Sequence, residues 1–256
     1  MCLVGLAVHG DPLSVVLLAN RDESFQRPTA PLAFWEDHPR VCAGRDLEKL
    51  GTWLGITRDG RFAAVTNIRH PDARREGRSR GALVRDFLLG DGAPEDAARE
   101  VASVAGEFSS FNLVLGDLRD VWLVHSGVGE PLARSLRPSA GERRVVALSN
   151  GHPDDPWPKM RSLESRLRAE LERGPVDEER LLGILSDREP AAPEALPHTG
   201  VSPHIEVMLS SLFVVSDWYG TRASSVVALG EEGGTIVERS FGPSGAPGET
   251  RRERVF

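Results

Sequence analysis

Apolar positions in the first quarter of the chain come in short runs broken by turn formers, the pattern of antiparallel strands. Residues 3–9 and 14–20 are two such runs, and Gly10, Asp11 and Pro12 between them predict a hairpin. Residues 52–57 and 61–67 form a second pair, joined through Arg58-Asp59-Gly60, where Asp-Gly is a strong hairpin signal. The proline-rich stretch 27–45 between the pairs reads as a loop, with Phe34 and Trp35 folded against the body. Beyond it the period changes. After Ser79, Leu83, Val84, Phe87 and Leu88 share one face of a helix, and after Pro94 a second helix turns Ala97, Val101 and Val104 inward. Residues 111–116 and 121–125 return to a hairpin, and 145–149 to a buried strand.

The clearest helix follows, with Met160, Leu163, Leu167 and Leu171 in one stripe and charges on the other side, ended by Gly174-Pro175. Residues 177–185 predict a shorter helix and 189–203 a loop over one edge. Residues 212–216, 224–229 and 235–241 predict three closing strands, the last two joined through 230–234. The stretch after Gly242, rich in glycine, proline and charge, is expected to fray, with Val255 and Phe256 available to dock. This order predicts an α+β fold over residues 1–256 as a single domain, its helices covering antiparallel sheets.

Composition excludes several function classes. The 256 residues can bury a substantial core, and a formal net charge of −7 argues against a nucleic-acid partner, which would require a basic tracking surface. The N-terminal apolar run has no basic leader and breaks at His9, and no apolar stretch reaches membrane-spanning length. The expectation is a cytoplasmic protein without a transmembrane segment. The only cysteines, Cys2 and Cys42, fit a reducing compartment.

Cys2 is the residue with the most chemistry. Initiator methionine is normally trimmed before a small side chain, so removal of Met1 would leave a thiol and a free α-amino group on one residue, a nucleophile with its own base. The hairpin brings Asn20, Arg21, Asp22 and Glu23 beside it. An adjacent ammonium and arginine are expected to lower the thiol pKa and make Cys2 react faster than Cys42. Thr66-Asn67 and Ser149-Asn150, polar pairs at the ends of apolar strands, offer Asn67 and Asn150 as oxyanion donors. The basic run Arg69 to Arg85 reads as a solvated loop, except that Arg80-Gly81 at a helix start is suited to an anion. The seven histidines show no zinc spacing and no glycine-rich phosphate loop occurs, so no metal site and no required cofactor are expected.

Cys2, Ala19-Asn20-Arg21-Asp22-Glu23 with Arg27-Pro28, Gly51-Thr52-Trp53-Leu54-Gly55, Thr66-Asn67, Arg80-Gly81, Phe111-Asn112-Leu113, Leu148-Ser149-Asn150 with Pro156-Trp157, and Tyr219-Gly220-Thr221-Arg222 together resemble the NRDE family, also called transport and Golgi organisation protein 2. The resemblance implies an N-terminal nucleophile (Ntn) hydrolase-like αββα sandwich, two stacked antiparallel sheets between helix layers. It also implies a proposed family role in haem trafficking and acyl-chain homeostasis. Residues 150–157 are similar to the Asn, Pro, Asp, Trp pattern of penicillin V acylases and bile salt hydrolases, and Arg222 to their late arginine. Those enzymes carry an arginine and an aspartate on the second strand with two residues between them. Here Arg21 and Asp22 are adjacent, so only one is expected to face Cys2.

The resemblance thus implies Cys2, Arg21, Asp22, Asn67, Asn150 and Arg222 as catalytic residues, and Asn20, Glu23, Arg80 and Trp157 as substrate-binding ones. Arg222 has two readings, an anchor for a carboxylate or propionate or a donor to backbone carbonyls. The whole chain likewise has two: a cysteine hydrolase of an acyl amide or acyl thioester, or a carrier holding haem or an acyl compound in the same cleft. The haem is then a ligand, and any histidine is open to ligating it.

Overall fold

The computed structural model describes residues 2–10 and 12–256; removal of Met1 and the Asp11 position of the first turn lie outside the described residues. Cys2–His9 (β1) and Ser14–Ser24 (β2) form the hairpin that the alternation predicts. β2 runs four residues further than its apolar pattern, so Arg21, Asp22 and Glu23 belong to the strand. On one face of β1, Val4, Leu6 and Val8 pack between two sheets; on the other, Leu3 and Ala7 pack under helices. This double burial makes the run apolar at nearly every position rather than at alternate ones.

The stretch 27–45 corrects the sequence reading. It is no loop: Thr29–Phe34 (β3) and Val41–Asp46 (β4) pair antiparallel there, with an irregularity between Ala30 and Ala33. Pro31 is tolerated because β3 is an edge strand. Leu54–Thr57 (β5), Phe62–Asn67 (β6), Phe111–Gly116 (β7), Val121–His125 (β8) and Leu132–Ser135 (β9) complete a seven-stranded sheet in sequential order, β9 being a strand that the pattern missed. Arg143–Leu148 (β10), Tyr219–Gly230 (β11), Gly233–Phe241 (β12) and Pro247–Arg254 (β13) join β1 and β2 in a six-stranded sheet of order β10-β1-β2-β11-β12-β13. The end of the chain does not fray. β13 is an edge strand whose charged side chains face solvent, and Val255 docks in the core between the sheets, its N–H donating to the Gly234 carbonyl. Residues 212–216, buried at Leu212, Phe213 and Val214, form no strand, since Phe213 and Val214 bond instead to Asp187 and Thr221.

Arg80–Leu89 (α1) and Pro94–Ser103 (α2) cover the seven-stranded sheet, while Pro158–Leu171 (α3) and Glu178–Leu185 (α4) cover the six-stranded one. A short helix, Pro203–Met208 (α5), follows the stretch read as an edge loop. Helix, sheet, sheet and helix are thus stacked around three apolar interfaces, the α+β sandwich expected from the resemblance. Among the described residues no helix is long and apolar enough to cross a membrane.

α3 lies close on β1 at Gly5, where an added Cβ would sit 2.9 Å from Leu163 Cδ2. Leu163 is fully buried there. Leu163→Ala is expected to lower the unfolding free energy by about 2–5 kcal/mol, seen as a lower denaturant midpoint at unchanged slope.

Candidate functional site

Register decides which polar residues meet Cys2. Cys2 pairs directly with Arg21 and Leu3 with Asn20, so Arg21 shares the face of Cys2 between the sheets. There its guanidinium lies 4.1 Å from the Trp53 ring centroid and Nη1 donates to Thr29 Oγ1 at 3.1 Å. Asn20 points the other way. Its Nδ2 donates to the Leu185 and Leu212 carbonyls and its Oδ1 accepts from Ser224, a structural tie between β2 and the helix layer rather than a substrate contact.

Asp22 also turns toward the helices, where Thr221 Oγ1 donates to Oδ1 at 2.7 Å, yet it borders the cleft because β1 begins opposite Arg21. Burial raises its carboxyl pKa, while the Lys159 charge and the Thr221 bond pull it down. Lys159 has the pattern of a solvent-facing charge in the first turn of α3. Instead it is buried, Nζ donating to the Leu209 carbonyl at 3.0 Å, and desolvation lowers its pKa to about 8.

Cys2 opens into a cleft of about 430 Å³ lined also by Arg21, Asp22, Glu23, Asn67 and Arg80. Burial raises its thiol pKa, with Asp22 and Glu23 acting the same way and the N-terminal ammonium and Arg21 opposing them. In the untrimmed chain burial thus outweighs the neighbouring cations; the Cys2 ammonium on which the expected lowering rests forms only once Met1 is removed. Cys42, wholly buried, is pushed up to about 12. Iodoacetamide labelling of Cys2 in the untrimmed chain is expected to be slow near neutrality and to go on climbing above the pH at which a free thiol levels off, remaining ahead of Cys42 throughout. Peptide mass spectrometry over a pH series would show it, and a flat profile for Cys2 would contradict it.

The strand-end asparagines meet, but in unequal roles. Asn150 is fully buried, and its Nδ2 donates to both the carbonyl and the Oδ1 of Asn67, each at 3.0 Å, while its own Oδ1 accepts from Ser149 Oγ. The donor that sequence spacing assigns to Asn150 is thus engaged. The Asn67 amide turns its oxygen to Asn150, and Asn67 itself lines the cleft. Ser149 Oγ also donates to the Cys2 carbonyl at 3.3 Å, and Asn112 Nδ2 donates to the Ser149 and Gly151 carbonyls, both at 3.0 Å. These bonds fasten the two sheets together behind the cleft.

Two further sequence candidates lie elsewhere. Arg222 sits at a β-bulge between Thr221 and Ala223, and its Nη1 donates to the Ser24 carbonyl at 3.0 Å and to the Arg27 carbonyl. It takes the backbone-donor reading and does not line the Cys2 cleft. Trp157 lines a second cavity of about 910 Å³, together with His70, His125, His152, Arg161 and His198. His125 Nδ1 and Asn112 Oδ1 are 2.7 Å apart, and burial lowers the His125 pKa to about 4, which keeps the ring neutral.

A family model described as Transport and Golgi organisation 2 matches residues 1–243. A relative from Bos taurus named Transport and Golgi organization protein 2 homolog is 31% identical over 262 residues, covering 94% of this chain and 93% of its own. Among solved structures, a Caenorhabditis elegans ortholog of N-acylethanolamine-hydrolyzing acid amidase matches with TM-score 0.52 and 10% identity, over 87% of this chain and 91% of that one. A conjugated bile acid hydrolase from Clostridium perfringens matches with TM-score 0.57 and 10% identity, over 98% and 92%. At this identity the structural likeness is one of fold, the Ntn hydrolase-like αββα sandwich.

Proposed function

This chain belongs to the Transport and Golgi organisation 2 family and has an Ntn hydrolase-like fold, and from that premise we propose that Cys2, once Met1 is removed, is the nucleophile of an acyl transfer on an amide or thioester. The observation that carries the reading is the pairing of Cys2 with Arg21 at the mouth of a cleft that the Asn67 amide also enters. The α-amino group takes the thiol proton, sulfur attacks the acyl carbon, and Asn67 Nδ2 donates to the oxyanion. The C–N or C–S bond then breaks, the leaving group takes the proton, and water releases the acyl group from Cys2. Asp22, held by Thr221 and set near the Lys159 charge, stabilises the ammonium form of the amine. Glu23 and Arg80, at the cleft wall, contact substrate. A reducing, cytoplasmic setting suits a reactive thiol without a disulfide partner.

The test uses chain with Met1 removed, confirmed by intact mass, against a panel of acyl amides and acyl thioesters. Turnover with an acyl adduct on Cys2 supports the reading. Absence of both, in protein whose Cys2 is alkylated by iodoacetamide, overturns it.

The larger cavity favours a second reading, a carrier. Trp157, Ile68 and Pro197 give it apolar walls, Arg161 a cation, and His125 a neutral ring whose Nδ1 is already bonded, features that fit haem as cargo. Haem titration followed at the Soret band, with His125→Ala and His152→Ala, tests it. Unchanged affinity and spectrum in both variants would remove this reading.

A further inference from the structure

Arg61 and Arg69, away from the cleft, each have backbone acceptors or a carboxylate partner. Arg61 bonds the Phe87 and Gly92 carbonyls at the end of α1, and Arg69 pairs with Glu206 at 2.9 Å. Along the Cys2 cleft, Arg27 pairs with Asp46 at 2.6 Å and Glu48 at 3.3 Å, Lys49 with Glu48 at 3.5 Å, and Arg78 with Glu107 at 3.0 Å. Two cleft cations differ. Arg21, only 5% exposed, makes one side-chain bond, to Thr29, and Arg80, half-buried, has one long contact of 3.5 Å to the Ser110 carbonyl. Among the described residues neither has a carboxylate within ion-pair distance. Glu23, the acid nearest both in its electrostatic effect, accepts through Oε1 from the Ser24 N–H.

Desolvation lowers the pKa of both guanidinium groups, as it does for Arg61 and Arg69; what sets the cleft pair apart is a single side-chain hydrogen bond each and no carboxylate at ion-pair distance among the described residues. Arg80 is the first residue of α1, no side chain caps that helix, and Ser79 and Gly81 line the cleft beside it. Gly51 and Gly81 hold the helix start against the strand-leading loop: a Cβ on Gly51 would sit 2.5 Å from the Gly81 carbonyl carbon. A guanidinium fork presents paired N–H groups matched to carboxylate or phosphate oxygens.

Resting on the reading of Cys2 as nucleophile, we propose that the acyl compound taken by this cleft carries its own anionic oxygen group, a carboxylate or phosphate, seated between Arg21 and Arg80. The test compares alkylation of Cys2 by iodoacetate, which carries a carboxylate, and iodoacetamide, its neutral analogue. Both consume the same thiolate, so their rate ratio cancels its pKa. That ratio is expected to exceed the ratio for free cysteine by about tenfold. It should fall to the free-cysteine value in Arg80→Gln and persist in Arg85→Gln, which removes the same charge from the same helix. Inorganic phosphate should slow iodoacetate more than iodoacetamide, and acetate in a parallel arm identifies which anion is held more tightly.

A wild-type ratio equal to that of free cysteine, or a raised ratio that survives Arg80→Gln, overturns the proposal. Should Arg80→Gln fail to fold, the phosphate competition on wild type decides: equal slowing of both reagents overturns it. A Cys2 inert to both reagents counts against the nucleophile instead. The anion site is then read from thermal stabilisation by phosphate, which supports it if lost in Arg80→Gln and sinks it if retained.

Discussion

Cys2→Ala is expected to bring acyl transfer down by a factor on the order of 10⁶, the scale seen when a covalent nucleophile is removed from an acyl-transfer enzyme. The effect is this large because the one other thiol in the sequence does not line the cleft. Cys42 lies wholly buried, its pKa pushed up to about 12. Retention of Met1 is expected to reduce the rate in the same way, since a peptide nitrogen cannot accept the thiol proton. The pair separates nucleophile from base: Met1-retaining protein keeps the thiol and should still be alkylated at high pH, whereas Cys2→Ala should not. Single-turnover assays with trimmed wild type, untrimmed wild type and Cys2→Ala measure both. Turnover by Cys2→Ala within tenfold of the parent would end the case for a covalent mechanism.

The second large effect is at Asn67. Asn67→Ala is expected to lower kcat by about 10²–10³ with little change in KM, because an oxyanion donor acts where charge develops and contributes less to the ground state. Asn150→Ala should behave differently. It removes the bond that orients the Asn67 side-chain amide and the bond to the Asn67 carbonyl, so it should lower stability by about 1–3 kcal/mol and slow turnover indirectly. Steady-state kinetics and chemical denaturation of both variants give the comparison. A larger loss of kcat in Asn150→Ala than in Asn67→Ala, at unchanged stability, would return the donor role to Asn150.

Much of the fold is legible because local pattern and tertiary environment agree there. The turn-bounded apolar runs of β1 and β2, the Asp59-Gly60 turn and the apolar stripes of α1 and α3 are each signals set by the local backbone. Where the sequence reading fails, the missing information is a partner distant in the chain. β3, β4 and β13 are short, interrupted by proline or loaded with charge, and become strands through pairing with neighbours already placed. Residues 212–216 show the converse. They are apolar enough for a strand, but their backbone groups are taken by Asp187 and Thr221.

The candidate site divides along the same line. Sequence by itself determines that a strand follows Cys2, that a hairpin returns Arg21 and Asp22 beside it with only one of them facing the thiol, and that asparagines end β6 and follow β10, since hairpin pairing and the two-residue period are local properties. Only the tertiary structure decides that Asn150 orients Asn67, that Arg222 serves backbone carbonyls at a bulge, that Trp157 belongs to a different cavity, and that Lys159 is buried near Asp22. The same holds for the Cys2 thiol, raised by burial where adjacent cations alone would lower it. Hydrogen-bond commitment and desolvation depend on what surrounds a group in space, and two sheets folded face to face bring together neighbours that no spacing along the chain encodes.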